Sequence, residues 1–137
     1  MDKKEILDFI TKNPVCFLAT AEGKKPHVRA MGTYRADENG IIFAMQSDKD
    51  VYKQLVKNLE IEGCYWANNI QVRIAGKLQP ITDIALKMEI VEKRPFYKPG
   101  VEKEGLDYVG AFILKNGKVT TLDMKGPPGA GKVWMDL

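Results

Sequence analysis

Apolar residues fall along this chain in short runs bracketed by turn formers, a pattern of strands more than of helices. The first segment is an exception. In residues 2–12, Ile6, Leu7 and Ile10 recur at helical spacing with Phe9 beside them, and Asn13-Pro14 ends the segment because the residue before a proline is pushed out of the helical region. Val15-Cys16-Phe17-Leu18-Ala19-Thr20 then predicts a strand buried on both faces. Glu22-Gly23-Lys24-Lys25-Pro26 is a hairpin-type turn, residues 27–35 a second strand, Ala36-Asp37-Glu38-Asn39-Gly40 a second turn, and residues 41–45 a third strand. Behind that strand Asp48 is a natural N-cap, followed by Val51, Leu55 and Leu59 at helical spacing.

Residues 61–67 predict a fourth strand, broken by Asn68-Asn69, and residues 71–78 a half-buried fifth, closed by Pro80. Residues 83–93 predict a helix stopped by Arg94-Pro95, and residues 96–107, rich in Pro, Gly and charge, a loop. Residues 108–114 and 118–122 flank Lys115-Asn116-Gly117, another hairpin signal. Seven short strands and three helices on this reading make a mainly β chain: a small antiparallel β-barrel with peripheral helices, or else an open α+β sheet.

Composition narrows this picture. The 137 residues fit one domain, 1–137, with a C-terminal tail over 124–137 whose Gly126-Pro127-Pro128-Gly129-Ala130-Gly131 predicts irregular chain. A net charge of +3 with scattered basic residues argues against a nucleic-acid partner. No apolar run approaches membrane-spanning length, and the N-terminus lacks the apolar core of a signal peptide. Cys16 and Cys64 lie in apolar runs without metal-ligand spacing, so both read as buried free thiols in a reducing cytoplasm. No metal site is expected.

The candidate chemistry is a cradle for an anion. Lys49 and Lys53 are four apart on one helix face, beside backbone N–H groups at a helix start where the dipole favours negative charge. Two lysines there suggest a phosphate, but on the segment alone a solvated face is the favoured reading. If the second and third strands pair through the 36–40 turn, residues 30–32 lie near residues 44–46, and Arg29 either reaches an anion at the Lys49 turn or is a surface arginine. His27, the only histidine, reads as a turn-adjacent surface imidazole without an orienting partner. Tyr52, Tyr65 and Trp66 offer rings for stacking, and Asn69 and Gln71 offer amides for a heterocycle edge, though such rings are more often core or interface and such amides more often edge-strand or turn residues. The G-x-x-x-x-G-K match at residues 126–132 is rejected as a nucleotide loop: Val133 replaces the hydroxyl residue, and Pro127 and Pro128 have no N–H to give a phosphate. The tail reads instead as docking through Val133, Trp134 and Met135. With no nucleophile elbow or H-E-x-x-H motif, catalytic residues stay unassigned, and any enzyme here would lean on a cofactor.

Taken in order, the helix ending in Asn13-Pro14, the strand Phe17-Leu18-Ala19-Thr20, the Gly-Lys-Lys-Pro turn, His27-Val28-Arg29, the segment from Phe43 through Lys49-Asp50-Val51-Tyr52-Lys53-Gln54-Leu55, and Gln71-Val72-Arg73-Ile74-Ala75-Gly76 resemble the pyridoxamine 5'-phosphate oxidase-like superfamily of FMN-binding split β-barrels. Within it the chain is most similar to the small bacterial members grouped with nitroimidazole-resistance proteins. The resemblance spans residues 6–122. It implies a six- or seven-stranded split β-barrel and a homodimer with FMN in two clefts at the interface. Val28, Arg29, Ala30, Met31 and Gly32 match the strand along the flavin, with Arg29 as its phosphate arginine. Ala44, Met45, Gln46 and Ser47 match the strand end that meets ring and phosphate. Lys49 and Lys53 fall at phosphate-binding positions, and Gln71 matches a glutamine that contacts FMN in the true oxidases. Trp66 and Asn69 are candidates to join from the partner subunit.

The departures bear on activity. Lys49-Asp50-Val51 stands where true oxidases carry Ser-Arg-Lys, and residues 124–137 hold no Arg-x-His segment, which speaks against vitamin B6 oxidation. His27 precedes the flavin strand and is not clearly the histidine of the nitroimidazole-resistance proteins, which speaks against drug reduction too. The expectation is therefore an FMN-dependent oxidoreductase for an unidentified small molecule, with a non-catalytic flavin module, or a barrel loaded with haem or deazaflavin, as alternatives.

Overall fold

The computed structural model describes residues 1–127 and 133–137; the glycine–proline tail segment singled out in the sequence lies largely outside them. Helix α1 (Lys3–Lys12) opens with a capping box in which Asp2 accepts from the Glu5 N–H and Glu5 from the Asp2 N–H. Its buried residues are Ile6, Phe9 and Ile10. Strands β1 (Val15–Glu22) and β2 (Lys25–Asp37) form a hairpin over the two-residue turn Gly23-Lys24, where Gly23 takes a φ of 59°.

β1 is not buried on both faces. Cys16, Leu18 and Thr20 face the core, whereas Val15 is 53% and Phe17 49% exposed. β3 (Gly40–Gln46) is the strand covered on both sides, with residues 41–45 all buried. Gly40 makes the turn into it with a φ of 135°, and a Cβ there would sit 2.6 Å from the Leu114 carbonyl oxygen. Helix α2 (Asp50–Lys57) begins one residue later than Asp48 capping requires: Lys49 holds the N-cap position without a side-chain bond, and Leu59 lies beyond the helix end.

β4 (Glu60–Ala67) and β5 (Ile70–Lys77) join through Asn68-Asn69, both at positive φ, a tight turn that asparagine tolerates. The two-residue β6 (Gln79–Pro80) follows, so Pro80 extends the sheet at its edge. Helix α3 (Ile84–Lys93) is capped by Asp83 and ends at Arg94. The loop expected over 96–107 is largely helical: a 3-10 turn at Pro95–Tyr97, helix α4 (Lys98–Glu104), then a second 3-10 turn at Leu106–Tyr108. Pro95 and Pro99 sit in first turns, where a missing N–H costs nothing.

β7 (Val109–Leu114), β8 (Lys118–Asp123) and β9 (Met135–Asp136) complete one sheet in the order β6-β7-β3-β2-β1-β4-β5-β8-β9. The 115–117 turn therefore is not a hairpin. β7 pairs with β3 and β6, and β8 with β5 and β9, so the chain crosses there from one end of the sheet to the other. The result is a curled, split half-barrel with helices around it, rather than a flat α+β sheet. Nine strands exceed the expected seven through the short edge strands β6 and β9; in β9, Met135 pairs with Val119. The main core lies inside the curl, with Leu18, Phe43, Leu55, Tyr65, Ile74 and Val119 among its members. A second core, on the outside of β3 and β7, packs Ala44, Val109 and Ala111 against Ile90 and Tyr97.

Candidate functional site: a cleft where two strands part

β2 is longer than its ladder with β3. That ladder runs from Asp37↔Gly40 to Thr33↔Phe43, with a bulge between Thr33 and Arg35. Toward the start of β2 the two strands part, while β2 stays paired with β1 down to Lys25. Thr33 N–H donates to the Pro14 carbonyl on the β1 side. Backbone groups alternate between the two edges of a strand, so Arg29 and Met31 also bond toward β1, and the N–H and C=O of Val28, Ala30 and Gly32 face the opened edge.

The parting leaves a cleft of about 620 Å³, a size suited to a cofactor or small ligand. It is lined by residues 27–32 of β2, by Ala44, Met45 and Gln46 at the end of β3, and by Lys49, Asp50, Val51 and Gln54 at the start of α2. Arg94, Phe96 and Tyr97 line it from the segment after α3.

The Arg29 guanidinium is held by neutral acceptors. Nη1 donates to the Leu18 carbonyl at 3.1 Å and to Thr20 Oγ1 at 2.9 Å, and Nη2 donates to Gln54 Oε1 at 2.5 Å. Thr20 Oγ1 in turn donates to Gln54 Oε1 at 2.6 Å. Burial lowers the Arg29 pKa from its ordinary value, opposed by the field of Asp50. Among the described residues no carboxylate forms an ion pair with Arg29; Asp50 acts on it only through its field.

His27 is not the surface imidazole the sequence suggested. It lines the cleft with its side chain 24% exposed. Its Nε2 is buried and lies 3.5 Å from Glu22 Oε1 without a hydrogen bond. At the other end, Arg94 Nη2 donates to the Thr33 carbonyl, and its guanidinium packs 5.1 Å from the Tyr34 ring centroid. Tyr34 donates to Glu89 Oε2. Phe96 stacks on the buried Tyr97 with centroids 4.5 Å apart.

Of the residues singled out in the sequence, the fold brings together Val28, Arg29, Ala30, Met31, Gly32, Ala44, Met45, Gln46 and Lys49. Ser47 and Lys53 are not in the lining; Ser47 N–H bonds the Tyr108 carbonyl, and Lys53 is exposed further along α2. Gln71 is on β5, separated from β2 by β1 and β4, and is not in the lining of the cleft. The candidate stacking rings are placed elsewhere: Tyr65 is fully buried and bonded to Thr33, Tyr52 packs on Phe112, and Trp66 is 49% exposed on the outer face of the sheet. Gln54, Arg94, Phe96 and Tyr97 escaped the sequence reading. An arginine and an aromatic pair around a proline at a helix stop were the available signal.

Fold and cleft together define a split-barrel protein with an open cleft at the seam between two strands. A sequence profile of the pyridoxamine 5'-phosphate oxidase family matches residues 2–102, and the chain belongs to that family. No curated protein matches it in sequence. Solved structures do match in fold. A NimC/NimA family protein from Clostridium acetobutylicum is 21% identical with a TM-score of 0.76, covering 98% of this chain and 92% of its own. PhzG from Burkholderia lata, solved with tetrahydrophenazine-1-carboxylic acid, is 14% identical with a TM-score of 0.69, covering 98% and 89%. A pyridoxamine 5'-phosphate oxidase-related, FMN-binding protein from Nostoc punctiforme is 16% identical with a TM-score of 0.66, covering 98% and 95%. At these identities the likeness establishes the fold. No helix among the described residues is long and apolar enough to cross a membrane.

Proposed function

We propose that this protein is an FMN-dependent oxidoreductase acting on a small molecule in the cytoplasm, and that it works as a homodimer. The observation that carries the reading is the Arg29 cradle. A guanidinium without a carboxylate partner stands at one side of the cleft, beside a strand edge whose amides are open. A bare cation of this kind suits a phosphate monoester, and an open strand edge suits the carbonyl and N–H groups on the rim of a flavin.

Arg29 and Lys49 would hold the phosphate, with Ser47 and Lys53 flanking that end in sequence. The backbone at Val28, Ala30 and Gly32, with the end of β3 at residues 44–46, would address the ring. FMN supplies the hydride chemistry when bound. The chain's part is to bind, orient and shield; among the described residues of the lining no acid–base side chain is hydrogen-bonded to an orienting carboxylate, and His27 Nε2 lies 3.5 Å from Glu22 without a bond.

The dimer rests on the outer face of the sheet. Val15, Phe17, Val28 and Trp66 are exposed there, and the register places Phe17 beside Ala30 and Cys64. Val28, Ala30 and Gly32 belong to both this face and the cleft, so a second copy seated here would close the cleft. Gln71, which pairs with Trp66, lies on the same face, where it and Trp66 would reach the partner's flavin rather than their own.

The test begins with the absorption spectrum of the purified protein and the identity of whatever denaturation releases. We expect a flavin spectrum and free FMN. A colourless protein that does not take up FMN, or one that releases haem or deazaflavin, refutes the cofactor assignment. Anaerobic mixing with NADH or NADPH then separates an enzyme from a binding module: bleaching that turns over with an added acceptor supports the oxidoreductase, and a flavin that stays oxidised with every donor supports the module.

A further inference from the structure

Arg29 has five N–H donors, and three of them are committed. Thr20 Oγ1 and Gln54 Oε1 are themselves hydrogen-bonded at 2.6 Å while accepting from Nη1 and Nη2 respectively. Two acceptors so close on adjacent nitrogens must share the end of the guanidinium where Nη1 and Nη2 meet. The Leu18 carbonyl takes the outer Nη1 hydrogen. What remains is Nε–H and the outer Nη2–H, the parallel pair that forms a fork for two oxygens of one phosphate.

We infer that Gln54 is a positioning residue for the anion site: its neutral amide oxygen, with Thr20, clamps the far end of Arg29, turns its side fork toward the cleft, and leaves its charge to the ligand. This rests on the reading of Arg29 as the contact for the FMN phosphate. Gln54 is 8% exposed. A carboxylate in its place would form a buried ion pair with Arg29 and spend on the protein the charge that otherwise meets the phosphate. The clamp also explains why a polar side chain occupies the buried face of α2 between Val51 and Leu55, where an aliphatic one would pack as well.

Riboflavin, which lacks the phosphate, gives the control. FMN and riboflavin are titrated by flavin fluorescence against the wild-type protein and against Gln54→Glu, Gln54→Leu and Thr20→Val, with thermal melts of each. Gln54→Glu is expected to weaken FMN by about tenfold or more, the scale of one charge-assisted contact, while riboflavin affinity stays within experimental scatter. Gln54→Leu and Thr20→Val are expected to lose smaller factors with the same selectivity for FMN. Thr20→Val preserves shape and serves as the readout if Gln54→Glu does not fold. FMN and riboflavin falling in parallel, or FMN affinity unchanged, overturns the positioning role while leaving the FMN reading intact. A wild-type protein that binds neither flavin overturns both.

Discussion

Arg29 and Tyr34 lie on the same strand, one on each side of the place where β2 and β3 begin to separate, and burial moves both pKa values toward the uncharged form. For Arg29 the shift is of no consequence at neutral pH, because a guanidinium stays protonated. For Tyr34 it has a measurable effect. Burial first, and then its hydrogen bond to Glu89, push its pKa from 10.0 up to about 12. Burial also raises Tyr65 and Tyr97. The folded pKa exceeds the unfolded one, so the stability these groups contribute is complete below pH 10 and is lost as pH climbs toward 12. Melts followed across that range should show stability falling steeply, with the buried tyrosinates appearing together with unfolding rather than before it. Tyr34→Phe should make the fall shallower. Ionisation of all five tyrosines near pH 10 in the folded protein would contradict the assignment. The sequence located Arg29 through its strand and turn but not Gln54, since a glutamine behind a helix start has no signature until its partner Thr20, on another element, is seen to point at it.

β4 depends on having no side chain at its centre. Gly63 lies between Leu18 on β1 and Ile74 on β5, and a Cβ there would come 2.6 Å from Cys16 Sγ and 3.2 Å from Ile74 Cγ1. Gly63→Ala should therefore destabilise by about 1–3 kcal/mol through overpacking, read as a lower urea midpoint at unchanged slope. Adding Cys16→Ala should recover part of the loss by removing the clashing sulfur, a coupling that a purely backbone effect of Gly63 would not show. Most of the strands and helices were legible because periodicity and turn residues report on local geometry. Three readings failed where local geometry was not the deciding factor. Phe17 and Val15 are apolar, as in a buried strand, yet face outward. Prolines over 95–99 read as helix breakers but start the turns that carry Phe96 and Tyr97 into the cleft. Lys115-Asn116-Gly117 bends the chain without folding β8 back on β7, because a turn signal does not say which strand the chain will pair with next.

A polypeptide of this size does not normally leave several large apolar side chains together on one sheet face. Here Val15, Phe17, Val28 and Trp66 are 53%, 49%, 69% and 49% exposed, on neighbouring strands β1, β2 and β4. The polar groups around them include Arg73, bound to Glu62 at 2.7 Å and stacked 5.2 Å from the Trp134 ring, an arrangement that resembles a polar rim around an apolar centre. The proposed dimer places a second copy on this face, and because Val28 and Ala30 are shared with the cleft, assembly and flavin binding should be coupled. Phe17→Glu puts a charge at the centre of the patch without touching the cleft lining. Sedimentation should then change from dimer to monomer, and FMN affinity should fall with it even though Arg29, Gln54 and Lys49 are intact. Raising the protein concentration should restore both together, since the loss acts through mass action. Met88→Glu is the matched control, since Met88 is a somewhat more exposed apolar residue on α3 at 58%; it should leave sedimentation and FMN binding unchanged. If Met88→Glu dissociates the protein and Phe17→Glu does not, the interface lies on the helical side, and Gln71 and Trp66 have no flavin to reach. If Phe17→Glu gives a monomer that binds FMN as tightly as the wild type, the dimer stands and the shared cleft does not.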